Sequence, residues 1–393
     1  MKKIAVFTGT RAEYGLLYLV LKALQKSDQV ALQLYVGGTH LSKKYGYTIS
    51  HILDDGFDVT EMIEYPIDSN SPTDTSVSMA HAQIGVSKAI EKHKPDVLIL
   101  LGDRYEALAA ASSATIAGVQ VAHIHGGEIT EGAIDDCFRH AITKMSHIHF
   151  TSTEQYRQRV IQLGEHPKTV FNVGAPGIDN IMRLPLLSQF EVDNFLNLKA
   201  NEAFFLITFH SETVGGVDSV GSLRQLFAAL DSFPQYKLII TYPNADTYGS
   251  ALIEEMKAYQ ASNPERVSLY ESIGQLKYLS AMKYCTAVIG NSSSGIIETP
   301  SFHKPTVNIG HRQKGRLAAS SVIHCNDDSK SITEAIEMAV SQDFVANLPN
   351  VHNPYGKGNA SEEIVKQLLV FNGEKVGKSF YDLPVLGDIP NDE

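Results

Sequence analysis

Residues 3–15 read KIAVFTGTRAEYG. An apolar run ends at Thr8-Gly9, a glycine-flanked turn follows, and helical spacing resumes beyond it. Nearly continuous apolar character predicts a strand buried on both faces, as in a parallel sheet. The same grammar recurs in ALQLYVG (31–37), DVLILLG (96–102), VQVAHIHGG (119–127), HIHF (147–150) and TVFNVG (169–174). Helix-like segments lie near 15–26, 78–93, 105–117, 135–146 and 153–163. Strand–helix alternation predicts βαβ units with right-handed crossovers.

The pattern pauses at GAPGIDNIMRLPLL (174–187) and restarts with FFLITFH (204–210). KLIITYP (237–243), RVSLYES (266–272), CTAVIGN (285–291), PTVNIG (305–310) and SVIHC (321–325) continue it. The expectation is an α/β protein of two doubly wound, Rossmann-like domains facing across a cleft. Residues 1–177 would form the first domain and 178–360 the second. Residues 361–393 would form a last helix and an irregular tail, packing back on the first domain or frayed.

The 393 residues suit two domains at roughly 100–200 residues each. The chain is 43% hydrophobic and 20% charged, with 29 glycines and 15 prolines, which excludes collagen-like and low-complexity classes. A formal net charge of −11 argues against nucleic acid or an anionic membrane as partner. The apolar run after Lys2-Lys3 is too short for a signal peptide, and no stretch approaches the roughly 18 apolar residues of a membrane span. Cys137, Cys285 and Cys325 are isolated, which fits reduced thiols in a cytoplasmic chain.

In open α/β sheets ligands bind beyond the carboxyl ends of the strands. Gly9-Thr10-Arg11 offers backbone N–H groups and a fixed cation to an anion. It is not GxGxxG, so a nicotinamide dehydrogenase loses its fingerprint. Asp103-Arg104 follows DVLILLG. HIHGGE places His123, His125 and Glu128 beyond the next strand, and Asp135-Asp136 opens the following helix, with Arg139 and His140 one turn later. Asp103, Glu128 and Asp136 are thus expected on one rim, where clustered carboxylates suit general acid–base work. The His123-x-His125 spacing could serve zinc, but neither HExxH nor a thiolate cluster supports it, so no metal is expected. His210 ends FFLITFH, and Asn244 lies in the turn after KLIITYP. GNSSSGIIE (290–298) reads as a strand entering a Ser/Gly loop that opens a helix, suited to a diphosphate, with Glu298, about one turn inside that helix, placed for ribose hydroxyls. NIGHRQKGR (308–316) brings Arg312 and Arg316 to the next strand end, where an arginine balances phosphate charge.

GTRAEYG, LGDRYEA, HIHGGE, IDDCFRHAITKMSH, the strand ending in His210, NSSSGIIE and NIGHRQKGR together resemble the hydrolysing UDP-N-acetylglucosamine 2-epimerases. These are bacterial sialic-acid pathway enzymes, similar to the epimerase half of the animal bifunctional enzyme. The resemblance runs in order from about residue 3 to 325. It implies a glycosyltransferase-B-like, glycogen-phosphorylase-like fold and no cofactor. It implies that UDP-N-acetylglucosamine loses UDP through 2-acetamidoglucal, and that hydration then gives N-acetylmannosamine. By the resemblance, Asp103, Glu128 and Asp136 are the catalytic carboxylates, Asp103 at elimination and the other two at hydration. His210 assists UDP departure. Arg11, Arg104, His210 and Asn244 contact substrate, and Ser292, Ser293, Glu298 and Arg312 bind UDP. A homodimer or homotetramer is implied. The chain departs from the family pattern at Ser211, where relatives usually carry proline after the histidine. Three alternatives stay open at this point. One is a hydrolysing epimerase of UDP-N,N'-diacetylbacillosamine from the legionaminic-acid pathway. The others are a non-hydrolysing 2-epimerase and a glycosyltransferase of the same architecture.

Overall fold

The computed structural model describes residues 1–67, 71–131, 134–212, 218–243, 249–271, 273–372 and 378–383. The chain divides into two compact units, each built on one wholly parallel sheet.

The first sheet has seven strands: β1 (Lys2–Thr8), β2 (Val30–Gly37), β3 (Val59–Ile63), β4 (Val97–Leu101), β5 (Gln120–Ile124), β6 (Ile148–Thr151) and β7 (Val170–Asn172). Their order is β3-β2-β1-β4-β5-β6-β7. The order reverses between β1 and β4, which makes the ends of those two strands the topological switch point. Every residue of β4 and β5 is buried, which is why these strands read as unbroken apolar runs in the sequence. The helix Tyr105–Ile116 buries Ala107, Ala109, Ala110, Ala111 and Ala114, and these small side chains allow close packing against the helix Pro72–His93.

The second sheet has six strands: β8 (Phe204–Thr208), β9 (Lys237–Thr241), β10 (Val267–Tyr270), β11 (Ala287–Gly290), β12 (Thr306–Ile309) and β13 (Val322–Cys325). Their order, β10-β9-β8-β11-β12-β13, repeats the first sheet's pattern and places its switch point between β8 and β11. Phe205, Ile207, Leu238, Ile240, Ile289 and Val307 fill one face with Leu223, Leu226 and Phe227 of the helix Ser219–Leu230.

The run 119–127 proves too long as a strand. The chain leaves the sheet at His125, whose φ is 67°, and Gly127 follows at 80°. β3 gives no clear apolar run in the sequence, because this edge strand keeps Thr60 and Glu61 half-buried and Met62 exposed.

The first unit comprises Met1–Glu128, Cys137–Gly174 and Glu362–Glu393, and the second comprises Ile129–Asp136 and Ala175–Ser361. An unbroken first domain over residues 1–177 is therefore not what is observed, since Ile129–Asp136 goes with the second unit. Within the first unit, Lys2 Nζ donates to the carbonyls of Leu368 and Phe371, and Tyr381 N donates to Gly164 O. Lys378 pairs with the buried Glu165, which also meets Lys144 and His149.

Gly290 ends β11 with φ at 138°, and a Cβ there would lie 2.0 Å from the carbonyl oxygen of Thr208 on β8. Both the torsion and the contact exclude other residues. Gly290→Ala is expected to destabilise the protein by about 2–4 kcal/mol. Urea unfolding followed by circular dichroism measures it, and an unchanged midpoint would count against this reading.

Candidate active site

Beyond β1, Thr10 caps the helix Arg11–Lys26. Its hydroxyl accepts from Glu13 N at 3.3 Å, while Glu13 Oε2 accepts from Gly9 N at 2.8 Å and Thr10 N at 3.1 Å. This capping box fixes the turn that presents the exposed Arg11. Beneath it lies a buried acidic cluster. Arg104 Nε donates to Glu106 Oε1 at 2.6 Å, and Glu106 is 1% exposed. Burial, with Glu106 nearby, pushes the Glu13 carboxyl up to about 8. Arg104, expected to contact substrate, is thus also the counter-charge of this cluster.

The ends of β4 and β5 carry the densest polar network. Leu101 pairs with Ile124, so Gly102 and His125 continue at the same level on neighbouring strands. Asp103 pairs with Arg139 Nη2. Arg139 Nη1 donates to Glu128 O at 2.9 Å, and the whole side chain is buried. One guanidinium therefore ties the strand-end carboxylate of β4 to the loop after β5. In that loop His125 Nδ1 lies 2.5 Å from Glu128 Oε1, and Ser152 Oγ donates to the same oxygen at 2.7 Å. Gly126 and Gly127 let the loop sit close: a Cβ on Gly127 would lie 2.4 Å from Tyr156 O.

His123 cannot serve a metal as placed. Its Nε2 lies 2.7 Å from Gly102 O and its Nδ1 3.0 Å from the Thr143 hydroxyl. Burial lowers the imidazole to about 3, so it is neutral, with Nε2–H donating to the carbonyl. Among the described residues no cluster of His, Cys, Asp or Glu suits a metal ion.

Asp136 differs from the expected grouping. It goes with the second unit, and its Oδ1 accepts from Thr130 N at 2.6 Å. In the same unit Lys314 pairs with Glu131 at 3.0 Å and Arg316 Nη2 lies 3.5 Å from Thr130 Oγ1. The segment bearing Asp136 is therefore held by the Arg312–Arg316 loop. Asp103 and Glu128 share one unit and Asp136 belongs to the other.

In the second unit, Asn291 organises the strand ends. Its Oδ1 accepts from His210 N at 2.7 Å and its Nδ2 donates to His210 O at 2.9 Å. Its own carbonyl accepts from Arg312 Nη1 at 3.1 Å and Gln313 Nε2 at 2.9 Å. One buried asparagine thus joins the ends of β8, β11 and β12. Burial, reinforced by the Arg312 charge, holds His210 well below the ordinary imidazole value, so it is neutral at pH 7. Ser211, the residue that follows, is buried as well.

Ser292 caps the helix Ser293–Ile297, and Ser294 Oγ contacts both Ser292 Oγ and the Tyr278 hydroxyl. The helix has five residues, so its dipole is smaller than the sequence suggested. Glu298 stands at its C-terminal cap rather than inside a longer helix. Burial raises its carboxyl to about 7, and it has no side-chain hydrogen bond among the described residues. Asn244 lies outside the described residues. Sequence reasoning did not assign roles to Arg139, Asn291, Gln313 or Ser152. Only the one-turn spacing from Asp135-Asp136 to Arg139 gave a signal.

Two switch-point sheets with polar loops at their carboxyl ends define the glycosyltransferase-B-like class, and the comparisons agree. A solved structure from Neisseria meningitidis, described as UDP-GlcNAc 2-epimerase bound to UDP-GlcNAc, matches with a TM-score of 0.80 at 20% identity, covering 94% of this chain and 100% of that one. Residues 22–369 match the family model for UDP-N-acetylglucosamine 2-epimerase. A Campylobacter jejuni protein named GDP/UDP-N,N'-diacetylbacillosamine 2-epimerase (hydrolyzing) is 38% identical over 94% of this chain and 95% of its own length. The Escherichia coli polysialic acid biosynthesis protein P7 is 37% identical over 98% of both. The chain belongs to the UDP-N-acetylglucosamine 2-epimerase family.

Glu298 gives a pH signature. Its folded-state carboxyl, at about 7, lies above the ordinary 4.5, so the folded protein binds more protons than the unfolded chain between these values. Its contribution to stability is therefore complete below pH 4.5 and lost as pH rises to about 7. Glu298→Gln is expected to stabilise the ligand-free protein above pH 7 by about 1–2 kcal/mol, discounted for partial solvation. The gain should vanish below pH 4.5. Thermal unfolding across pH measures this, and a variant less stable at pH 8 would contradict it.

Proposed function

We propose that the protein is a hydrolysing 2-epimerase converting UDP-N-acetylglucosamine and water to N-acetylmannosamine and UDP, for sialic-acid biosynthesis. The observation that carries this reading is the Asp103–Arg139–Glu128 network beyond β4 and β5. It holds a carboxylate at a strand end in a chain of this family. The likeness to polysialic acid biosynthesis protein P7 along nearly the full length supports the pathway.

The C2 hydrogen of the sugar has no adjacent carbonyl to acidify it. Its removal must be coupled to departure of the diphosphate, with oxocarbenium character at C1. Stabilising the leaving group then matters as much as the base. In this reading Asp103 takes the C2 proton, the C2–H electrons form the C1=C2 bond, and the C1–O electrons leave with UDP. Arg11 and Arg104 contact substrate, as would Asn244. A neutral His210 donates an N–H to the departing phosphate, beside the Arg312 charge. Ser292 and Ser293 offer hydroxyl and N–H donors to the phosphates, and Glu298 accepts from the ribose hydroxyls. Glu128 and Asp136 then serve the hydration of 2-acetamidoglucal. No cofactor is required by this chemistry.

A second reading keeps the mechanism and changes the substituent at sugar C4. The Campylobacter relative's name favours UDP-N,N'-diacetylbacillosamine.

Incubation with each nucleotide sugar in deuterated water, followed by proton NMR, separates these. Release of UDP with N-acetylmannosamine deuterated at C2 supports the main reading. Turnover of the bacillosamine nucleotide alone moves the assignment to that sugar. UDP-N-acetylmannosamine as product would indicate a non-hydrolysing epimerase. Asp103→Asn is expected to lower turnover by about 10²–10⁴-fold while UDP affinity, read by calorimetry, stays within about threefold. Retained turnover would remove Asp103 from the mechanism. Glu298→Gln is expected to weaken UDP binding by about tenfold.

A further inference from the structure

Two histidines leave β5 in opposite states. His123 has both ring nitrogens committed, to Gly102 O and to the Thr143 hydroxyl. His125 has one nitrogen committed, Nδ1 to Glu128 Oε1 at 2.5 Å. Its Nε2 is buried and has no hydrogen-bond partner among the described residues. The residue is only 7% exposed, and its φ of 67° is one that side chains with a Cβ rarely adopt. An unmade hydrogen bond and an unfavourable torsion in one residue are two costs at the same point. Work for the imidazole at Nε2 would satisfy the first and give the fold a reason to bear the second.

Glu128 is in the converse position. It is 2% exposed, and its Oε1 is shared by His125 and by Ser152 Oγ at 2.7 Å. Its backbone carbonyl is held by Arg139 at 2.9 Å. A carboxylate fixed on the far side of an imidazole sets the tautomer and steadies the imidazolium that forms when the other nitrogen takes a proton.

We infer that His125 is a catalytic residue of this loop and that Glu128 is a positioning residue acting through it. This rests on the hydrolysing-epimerase reading and revises only the group that meets the reacting atoms. The step is hydration of 2-acetamidoglucal. The C1=C2 electrons take a proton at C2 from the Asp136 carboxyl, the other group assigned to hydration, water oxygen bonds to C1, and the water O–H proton passes to His125 Nε2. The imidazolium is then paired with Glu128. UDP has already left, so elimination does not require His125.

His125→Gly tests this with little backbone penalty, because glycine accepts the left-handed torsion and leaves an imidazole-sized space. His125→Asn, also tolerant of that torsion, is the second variant. UDP release and N-acetylmannosamine formation are measured separately, with 2-acetamidoglucal followed by NMR, beside the wild-type protein. The expected result is that His125→Gly still releases UDP, accumulates 2-acetamidoglucal, and forms the final sugar about 10²–10⁴-fold more slowly. Added imidazole should restore part of that rate. Glu128→Gln should accumulate the same intermediate to a smaller extent. The inference is overturned if His125→Gly turns over like wild type, or if it loses UDP release together with hydration. It is equally overturned if Glu128→Gln falls further than His125→Gly, or if both His125 variants fail to bind UDP, which would make the residue structural. A wild-type protein inactive on both nucleotide sugars would instead overturn the epimerase reading itself.

Discussion

A buried guanidinium cannot stand alone. Arg139 is 1% exposed, and taking its charge from water is compensated only by full pairing. Asp103 supplies the opposite charge and Glu128 O a second acceptor. This one requirement fixes three things together: the rotamer of the β4 strand-end carboxylate, the path of the loop after β5, and the seating of the helix Asp135–Met145 that carries Arg139. Breaking a buried pair leaves an uncompensated charge, so the arrangement is self-enforcing. The carboxylate stays at the sheet end, where open α/β sheets bind their ligands.

The second unit ties its strand ends through a buried neutral side chain. Asn291 is a neutral side chain that bonds both backbone groups of His210, while its carbonyl takes two donors from the loop after β12. The first sheet thus anchors its site by charge and the second by amide geometry. The difference suits the proposed tasks. A proton-transfer centre gains from fixed charges that tune acids and bases, whereas a nucleotide pocket gains from rigid donors whose state does not change with pH.

Much of the architecture was legible because buried parallel strands leave unbroken apolar runs. β3 escaped notice because an edge strand with an exposed Met62 and a half-buried Glu61 carries little of that signal. The placement of Asp103, Glu128 and His210 a few residues beyond a strand was legible from the sequence. Their partners were not. An arginine one turn into a helix reads as solvent-facing until its acceptors are known. The His125–Glu128 contact exists only because the backbone reverses at His125 and Gly127. The Ser/Gly loop was recognised but its helix overestimated. The residue Glu298, expected one turn inside, caps a short helix that passes directly into the turn Thr299–Phe302.

The passage HIHGGEITEGAIDD (123–136) looks like one motif, yet it belongs to two units. Glu128 is the last residue of the first unit's share, and Ile129–Asp136 belongs to the second. The reason is local: Ile129, Thr130 and Glu131 meet Gly315, Arg316 and Lys314, and Thr130 N is capped by Asp136. Cutting the chain near residue 177 would therefore leave Asp136 covalently present but without the loop that orders its segment. Proximity in sequence misleads here because a short connecting run follows whichever unit satisfies its backbone and charges. The carboxylates are better grouped by what holds them than by where they fall in the chain. On that criterion Asp103 and Glu128 form one set through Arg139, and Asp136 travels with the loop of Arg312 and Arg316.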